Sequence, residues 1–189
     1  MAIKLIVGLR NPGADYAATR HNVGAWFLKA LVASVNASFA VDKKSHGEIA
    51  SFTVQEQSCK GLLPLAFMNL NGLSVQAVCQ FHRILPEEVL VAHDELDLEA
   101  GRVKLKTGGG HGGHNGLRDV IAHLGSRDFH RLRIGIGHPG HKTMVLNYVL
   151  GKPSVADKQL MEEAIDRALA IMPTVLSGNM AIAMGLLNG

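Results

Sequence analysis

The chain is poor in cysteine: only Cys59 and Cys79 occur among its 189 residues. They show neither CxxC nor any other zinc-type spacing, so no structural metal knot is indicated. An apolar run of the roughly 20 residues needed to span a bilayer is also missing, because charges or prolines interrupt each candidate. The start, MAIKLIVG, lacks the basic segment and cleavage site of a secretory signal, and we expect a soluble chain in a reducing cytoplasm. Net charge is small, +3 with a pI near 9.0, so a general polyanion coat is not indicated and any nucleic-acid contact should be local. No internal repeat or linker divides the sequence. With 47% hydrophobic residues, the simplest expectation is one domain over residues 1–189, large enough to bury a real core.

Against that plain background one stretch stands out, Val91 to Asp119, VAHDELDLEAGRVKLKTGGGHGGHNGLRD. It concentrates histidine, asparagine and glycine in a segment too polar and flexible to be core. Val89 to Ala92 is a short apolar run ending at His93-Asp94, which places the Asp94 carboxylate at the carboxyl end of a buried strand, where α/β sheets hold ligands. Val103 and Leu105 alternate with Arg102, Lys104 and Lys106, giving a half-buried strand with a basic face. Gly108-Gly109-Gly110 and Gly112-Gly113 permit positive φ and close approach of a ligand to main-chain N–H groups. Asn115-Gly116 then opens a helix with Leu117, Val120, Ile121 and Leu124 on one face, and its N-terminus carries partial positive charge. A mobile connector is the alternative, but the histidines and asparagine beside the glycines favour a site.

Elsewhere the pattern alternates between strand and helix. Ile3 to Leu9 reads as a central strand, and the turn after it puts Asn11 at its carboxyl edge, where it could equally be a plain turn residue. A helix follows with Val23, Trp26, Phe27, Ala30, Leu31 and Val35 on one stripe, Asn22 as its cap and His21 just outside it. Ser51 to Gln55 and Leu62 to Leu65 read as strands, with Glu56 to Gly61 as a turn. Asn69 follows the second, before a helix with Val75, Val78, Cys79 and His82 on one face. Phe129 to Gly137 alternates Leu132, Ile134 and Ile136 with Arg131 and Arg133, a second basic strand face. Ser154, with Asp157 three residues on, starts a helix that Pro173 ends or kinks. The expected fold is an α/β three-layer sandwich, a mixed, mainly parallel twisted sheet flanked by helices. Asn11, Asn69, Asp94 and the glycine loop should then gather on one edge.

The motifs VGLRNPGADYAATRHNVG, FMNLNG, VAHDELDL, GGGHGGHNGLRD and FHRLRIGIGHPG together resemble those of the bacterial peptidyl-tRNA hydrolase family, over nearly the whole chain. The resemblance implies a monomeric enzyme, free of metal and cofactor, with peptidyl-tRNA as its partner and no membrane. Its reaction would be hydrolysis of the ester between peptide and terminal ribose, which returns the tRNA to use. His21 then resembles the base, Asp94 the carboxylate that orients it, and Asn11 a third member of the catalytic set. Asn69 and Asn115 resemble substrate-holding asparagines, Tyr16, Phe67 and Met68 line the same cleft, and His114 flanks it. Lys106 and Arg133 resemble a pair gripping a tRNA phosphate. Two departures stand out: Arg10 replaces a small residue and could alter charge at the cleft mouth, and the final segment lacks the aromatic and basic residues often found there.

Ester hydrolysis asks for an activated water and a donor for the oxyanion, with Asn69, Asn115 or glycine-loop amides as candidates. Two rival readings remain open at this point. A metal hydrolase would use His93, Asp94, His111 and His114, though no glutamate base lies between the last two. An idle RNA-binding relative would keep the basic strands without the chemistry.

Overall fold

The computed structural model describes residues 1–189, and the chain alternates strand and helix as its hydrophobic periodicity dictates. β1 (Leu5–Gly8) leads to α1 (Val23–Ser34), then β2 (Ala40–Asp42), β3 (Gly47–Val54) and β4 (Gln57–Pro64). α2 (Asn71–His82), β5 (Val89–Glu95), β6 (Val103–Thr107), α3 (Asn115–Leu124) and β7 (His130–Gly135) follow. α4 (Val145–Val149), α5 (Val155–Ala170), α6 (Met172–Leu176) and α7 (Met180–Asn188) complete the chain. The seven strands form one sheet in the order β2-β3-β4-β1-β5-β7-β6. Its centre, β4-β1-β5-β7, is parallel, and antiparallel pairs close both sides. The expected mixed, mainly parallel sandwich is therefore present. No helix is long and apolar enough to cross a membrane.

Two cores flank the sheet. On one side Phe27, Leu28 and Leu31 of α1 meet Met161 and Ile165 of α5 over Ile6, Leu90 and Leu132. On the other, Val75 and Val78 of α2 and Leu117 and Val120 of α3 cover Leu5, Val7, Val89 and Val91. Each fully buried aliphatic or aromatic side chain of this kind contributes roughly 1.5–3 kcal/mol. Helix α1 sits unusually close to the sheet, since a Cβ added at Gly24 would lie 2.2 Å from the Ala92 carbonyl oxygen. This contact is what brings the residues just before α1 against the end of β5.

Several local expectations are corrected. The β3–β4 hairpin is longer than expected: its turn is Gln55-Glu56, and Gln57 to Gly61, expected as turn, is strand. A two-residue hairpin turn favours positive φ, and Gln55 (45°) and Glu56 (71°) adopt it without the Asn-Gly or Asp-Gly signal that would have disclosed it. Asn22 does not cap α1 with its side chain. His82 is exposed, off the buried face of α2. The Ser154 cap holds, its Oγ accepting from Asp157 N at 3.1 Å, and Pro173 lies in the first turn of α6. The carboxyl-terminal helix α7 covers the sheet edge: Asn188 accepts from Leu105 N at 2.8 Å and donates to Leu105 O at 2.9 Å, standing in for a strand partner of β6.

Candidate active site

The site grows from the carboxyl ends of β1 and β5, which are neighbours in register, Gly8 opposite Ala92. Beyond β1 the chain turns through Arg10 and Asn11, and Asn22 fastens this turn: its Oδ1 accepts from Asn11 N at 2.9 Å and its Nδ2 donates to Asn11 O at 2.8 Å. That pairing occupies the side chain that would have capped α1. It also fixes the short turn Arg20–Asn22, and so His21, against the end of β1. Asn11 Oδ1 accepts from Met68 N at 2.6 Å, so the side-chain amine is its free group. Arg10 does not reach the cleft mouth; it is buried, donating from Nε to Pro64 O at 2.8 Å and from Nη2 to Glu48 at 3.0 Å. Its charge is neutralised inside the fold, and Asn71 Oδ1 accepts its main-chain N–H at 2.9 Å.

Asp94, at the end of β5, is nearly fully buried and has a histidine on each oxygen. His21 Nδ1 lies 2.9 Å from Oδ2 and His114 Nε2 lies 2.7 Å from Oδ1. The tautomers follow from the surrounding hydrogen bonds. His114 is the N-cap of α3, its Nδ1 accepting from Gly116 N at 3.1 Å and Leu117 N at 3.2 Å, so its proton resides on Nε2 and is donated to Asp94. His21 likewise donates from Nδ1, which leaves its Nε2 lone pair free. Burial alone would lower the His21 value, but the Asp94 charge and hydrogen bond outweigh it and raise it above the ordinary 6.5. Burial alone would raise Asp94, yet the charge attraction and hydrogen bonds of both histidines hold it far below the usual carboxylate range. A third histidine, His93, packs edge-on to His114 at 5.3 Å, and burial brings it down to about 4, so it is neutral at physiological pH.

These groups open into a cavity of about 900 Å³. His21, Asp94, His114 and the exposed Asn115 line it together with Val145, Leu146 and Val149 of α4. α4 is pinned beside His21 by Arg20, which stacks 3.9 Å over the Tyr148 ring and donates to Tyr148 O at 2.9 Å. Lys106 and Arg133 line the same cavity. Strand register places Lys106 opposite Arg131 and Lys104 opposite Arg133, so these side chains share one face. Arg133 Nε donates to Glu95 at 2.8 Å, and its terminal nitrogens make no hydrogen bond within the chain.

Not every expected residue lies inside. Asn11, Tyr16, Phe67, Met68 and Asn69 stand outside the cavity lining. Met68 is buried and hydrogen-bonded to Asn11, and the Tyr16 and Phe67 rings meet edge-on at 5.9 Å on the surface. Asn69 is exposed, and its side chain has no partner within the chain. The sequence reading did not find that His114 binds Asp94; the signal was available in His114-Asn115-Gly116 at a helix start, where a histidine can serve as N-cap. Asn22, Asn71 and Glu95 were missed as supports, since each works through the backbone or another side chain.

His21, Asp94 and His114 also place potential ligand atoms within 4.8 Å of one another. The nitrogens facing the carboxylate are the protonated ones, and His114 Nδ1 is occupied by two backbone amides. A cation there would have to displace both N–H protons, so the donor set fits a hydrogen-bonded chain better than a metal cage. The alternative set with His93 and His111 is not assembled: His93 Nδ1 lies 2.8 Å from Asp94 O, and His111 Nδ1 accepts from Gly113 N at 2.9 Å.

A sequence profile of the family described as peptidyl-tRNA hydrolase matches residues 5–189. The chain belongs to that family. Similar proteins include the peptidyl-tRNA hydrolase of Legionella pneumophila (strain Lens), 57% identical over 188 residues, with 100% of both chains covered. That of Pseudomonas entomophila (strain L48) is 54% identical over 184 residues, covering 97% of this chain and 95% of the relative. Among solved structures, the peptidyl-tRNA hydrolase of Acinetobacter baumannii superposes with a TM-score of 0.97 at 47% identity, covering 99% of this chain and 95% of that one. In this member of the peptidyl-tRNA hydrolase family, all five motifs quoted above fall within the matched span.

Proposed function

We propose that this peptidyl-tRNA hydrolase family member cleaves the ester between a peptide and the terminal ribose of tRNA, with His21 as general base. The observation that carries this reading is the chain His114–Asp94–His21 at the cavity wall, which leaves His21 Nε2 unprotonated and open. His21 Nε2 takes a proton from water as the water oxygen adds to the ester carbonyl. Asp94 holds the imidazole in the required tautomer and stabilises the imidazolium. The tetrahedral oxyanion collapses, the bond to the ribose oxygen breaks, and that oxygen receives the proton from His21. The products are a peptide acid and tRNA.

Asn115 supplies the oxyanion donor in this scheme, because its exposed amide lines the cavity whereas Asn69 lies outside it. Such a donor is worth roughly 3–4 kcal/mol. Asn11 contributes its free amine, and Asn69, Tyr16, Phe67 and Met68 carry the peptide away from the ester along the adjoining surface. Lys106 and Arg133 hold a phosphate of the RNA. One chain provides the whole set, consistent with a monomer acting in the cytoplasm where charged tRNA is used.

Turnover of N-acetyl-aminoacyl-tRNA by the parent and by His21→Ala, each with and without EDTA, tests this. The parent should be active and indifferent to EDTA, and His21→Ala should lose hydrolysis while still binding tRNA. Loss of parent activity on chelation would replace the base mechanism by a metal one at the same three residues.

A further inference from the structure

The alternation places Arg131 on the basic face of β7; it is 2% exposed there and spends its guanidinium on the glycine loop. Nη1 donates to Gly110 O, and Nη2 donates to Gly109 O at 2.5 Å. The guanidinium also stacks 4.5 Å over the Phe129 ring, and its Nε is buried without a partner. One side chain of the sheet thus holds two consecutive carbonyls of an otherwise loosely tied loop.

This has a geometric result. In a planar trans peptide the C=O and the following N–H point in opposite directions. Drawing the oxygens of residues 109 and 110 down onto the sheet therefore turns the amides of Gly110 and His111 away from it. Neither amide has an acceptor within the chain, and both residues line the cavity. Gly109, at φ +103°, makes the bend possible. A Cβ there would lie 2.6 Å from Lys106 Nζ, so the lysine ammonium sits directly against the loop.

We infer that Arg131 is a positioning residue: it aims the Gly110 and His111 amides so that, beside Lys106, they donate to an oxygen of a substrate phosphate. The inference rests on the proposal that Lys106 and Arg133 receive an RNA phosphate, and adds main-chain donors and the side chain that sets them. Arginine is required because its planar fork spans two acceptors, which a lysine ammonium on a single flexible stem does not reproduce. Successive outward amides form a concavity suited to an anion.

The test uses Arg131→Lys and Arg131→Gln beside Lys106→Ala, with thermal unfolding recorded for each. Two substrates are compared: N-acetyl-aminoacyl-tRNA, and an N-acetyl-aminoacyl ester of adenosine that carries no phosphate. For the Arg131 variants, KM for the tRNA substrate should rise roughly tenfold relative to the adenosine ester, the size of one charge-assisted contact. The slope of log affinity against log salt should fall by about one. Equal losses on both substrates would mean a merely structural role and overturn the inference. A lowered slope for Lys106→Ala with a parental slope for both Arg131 variants would overturn the inference alone; parental slopes in all three would overturn it together with the phosphate reading. Should the Arg131 variants fold poorly, the parent decides: titration with an acceptor-stem RNA hairpin that carries no aminoacyl group should shift the amide proton resonances of Gly110 and His111, and unmoved resonances would overturn the assignment.

Discussion

His114 closes the first turn of α3 with Nδ1 and gives its only N–H, on Nε2, to Asp94 Oδ1 at 2.7 Å. A helix cap is thereby chained to the carboxylate that orients His21. His114→Ala should cost about 1 kcal/mol in urea unfolding from the lost cap. It should also leave Asp94 with one histidine instead of two, so more of its charge acts on His21. The acid limb of the kcat/KM profile should then move to higher pH. His114→Asn, which can cap through its side-chain oxygen and donate through its amine, should restore much of the stability. If the acid limb does not move in His114→Ala, Asp94 is not shared between the two rings in the way the distances indicate.

The pH behaviour of the parent follows from the direction of each shift. Only neutral His21 accepts a proton, and its value lies above 6.5 because Asp94 outweighs burial, so activity should rise with a midpoint above that value. In Asp94→Asn the attraction is gone while burial persists, and the midpoint should fall below 6.5 as kcat drops more than KM rises. For stability the signs are opposite for the two partners. The His21 contribution is complete below its unfolded value and disappears as pH rises through the folded one. Asp94, held low when folded, contributes above its unfolded value of about 3.9 and loses that contribution as the solution is acidified further. Urea unfolding at several pH values, parent against Asp94→Asn, measures the second effect.

Much of this was legible in the sequence because it follows from period and position. The apolar run Val89 to Ala92 places Asp94 at a strand end, and Asn115-Gly116 marks the start of α3. What was hidden depends on contacts between distant segments. Asn22 gives no local sign that it will leave α1 uncapped to hold the Asn11 backbone. Arg131 and Arg133 have the same strand pattern and line the same cavity, yet one is buried against the glycine-loop carbonyls and the other is paired with Glu95. Arg10 looked like a charge at the cleft mouth until its partners, Pro64 O and Glu48 on the neighbouring hairpin, were placed. Alternation fixes the face of a strand residue but says nothing of which loop will fold over that face.

The contact between Gly24 and Ala92 carries a stability prediction with a catalytic readout. A methyl group at residue 24 would meet the Ala92 carbonyl at 2.2 Å, and backbone cannot yield as a flexible side chain can. Gly24→Ala should therefore push α1 outward and destabilise by roughly 1–3 kcal/mol. Because His21 lies two residues before α1 and Asp94 two residues after Ala92, the same displacement should lengthen the bond between them. Turnover should fall more than the folded fraction does. A variant that loses stability but keeps full turnover per folded molecule would show that the His21 turn is held by Asn11 and Asn22 independently of α1.

The basic floor gives the last prediction. Lys106 is exposed on the edge strand β6, and Arg133, two register positions away across β7, is tethered through Nε to Glu95 with its outer nitrogens untethered. Exposed Lys106 contributes little to stability, whereas removing Arg133 leaves Glu95 without its partner, so the double variant should lose about 1–3 kcal/mol, nearly all of it from the Arg133 change. Binding should change as well. Each phosphate contact releases condensed counterions, so losing one bound phosphate should reduce the slope of log affinity against log salt by about one. The loss should be uniform across tRNA sequences, because a phosphate grip reads no base. Hydrolysis of the phosphate-free adenosine ester depends on His21, Asp94 and Asn115, and should fall far less than that of tRNA. Salt titrations of tRNA binding to the parent and to the Lys106→Ala, Arg133→Ala double variant decide it: superimposable slopes would remove the phosphate grip from the proposed mechanism and leave the two cations as surface charges.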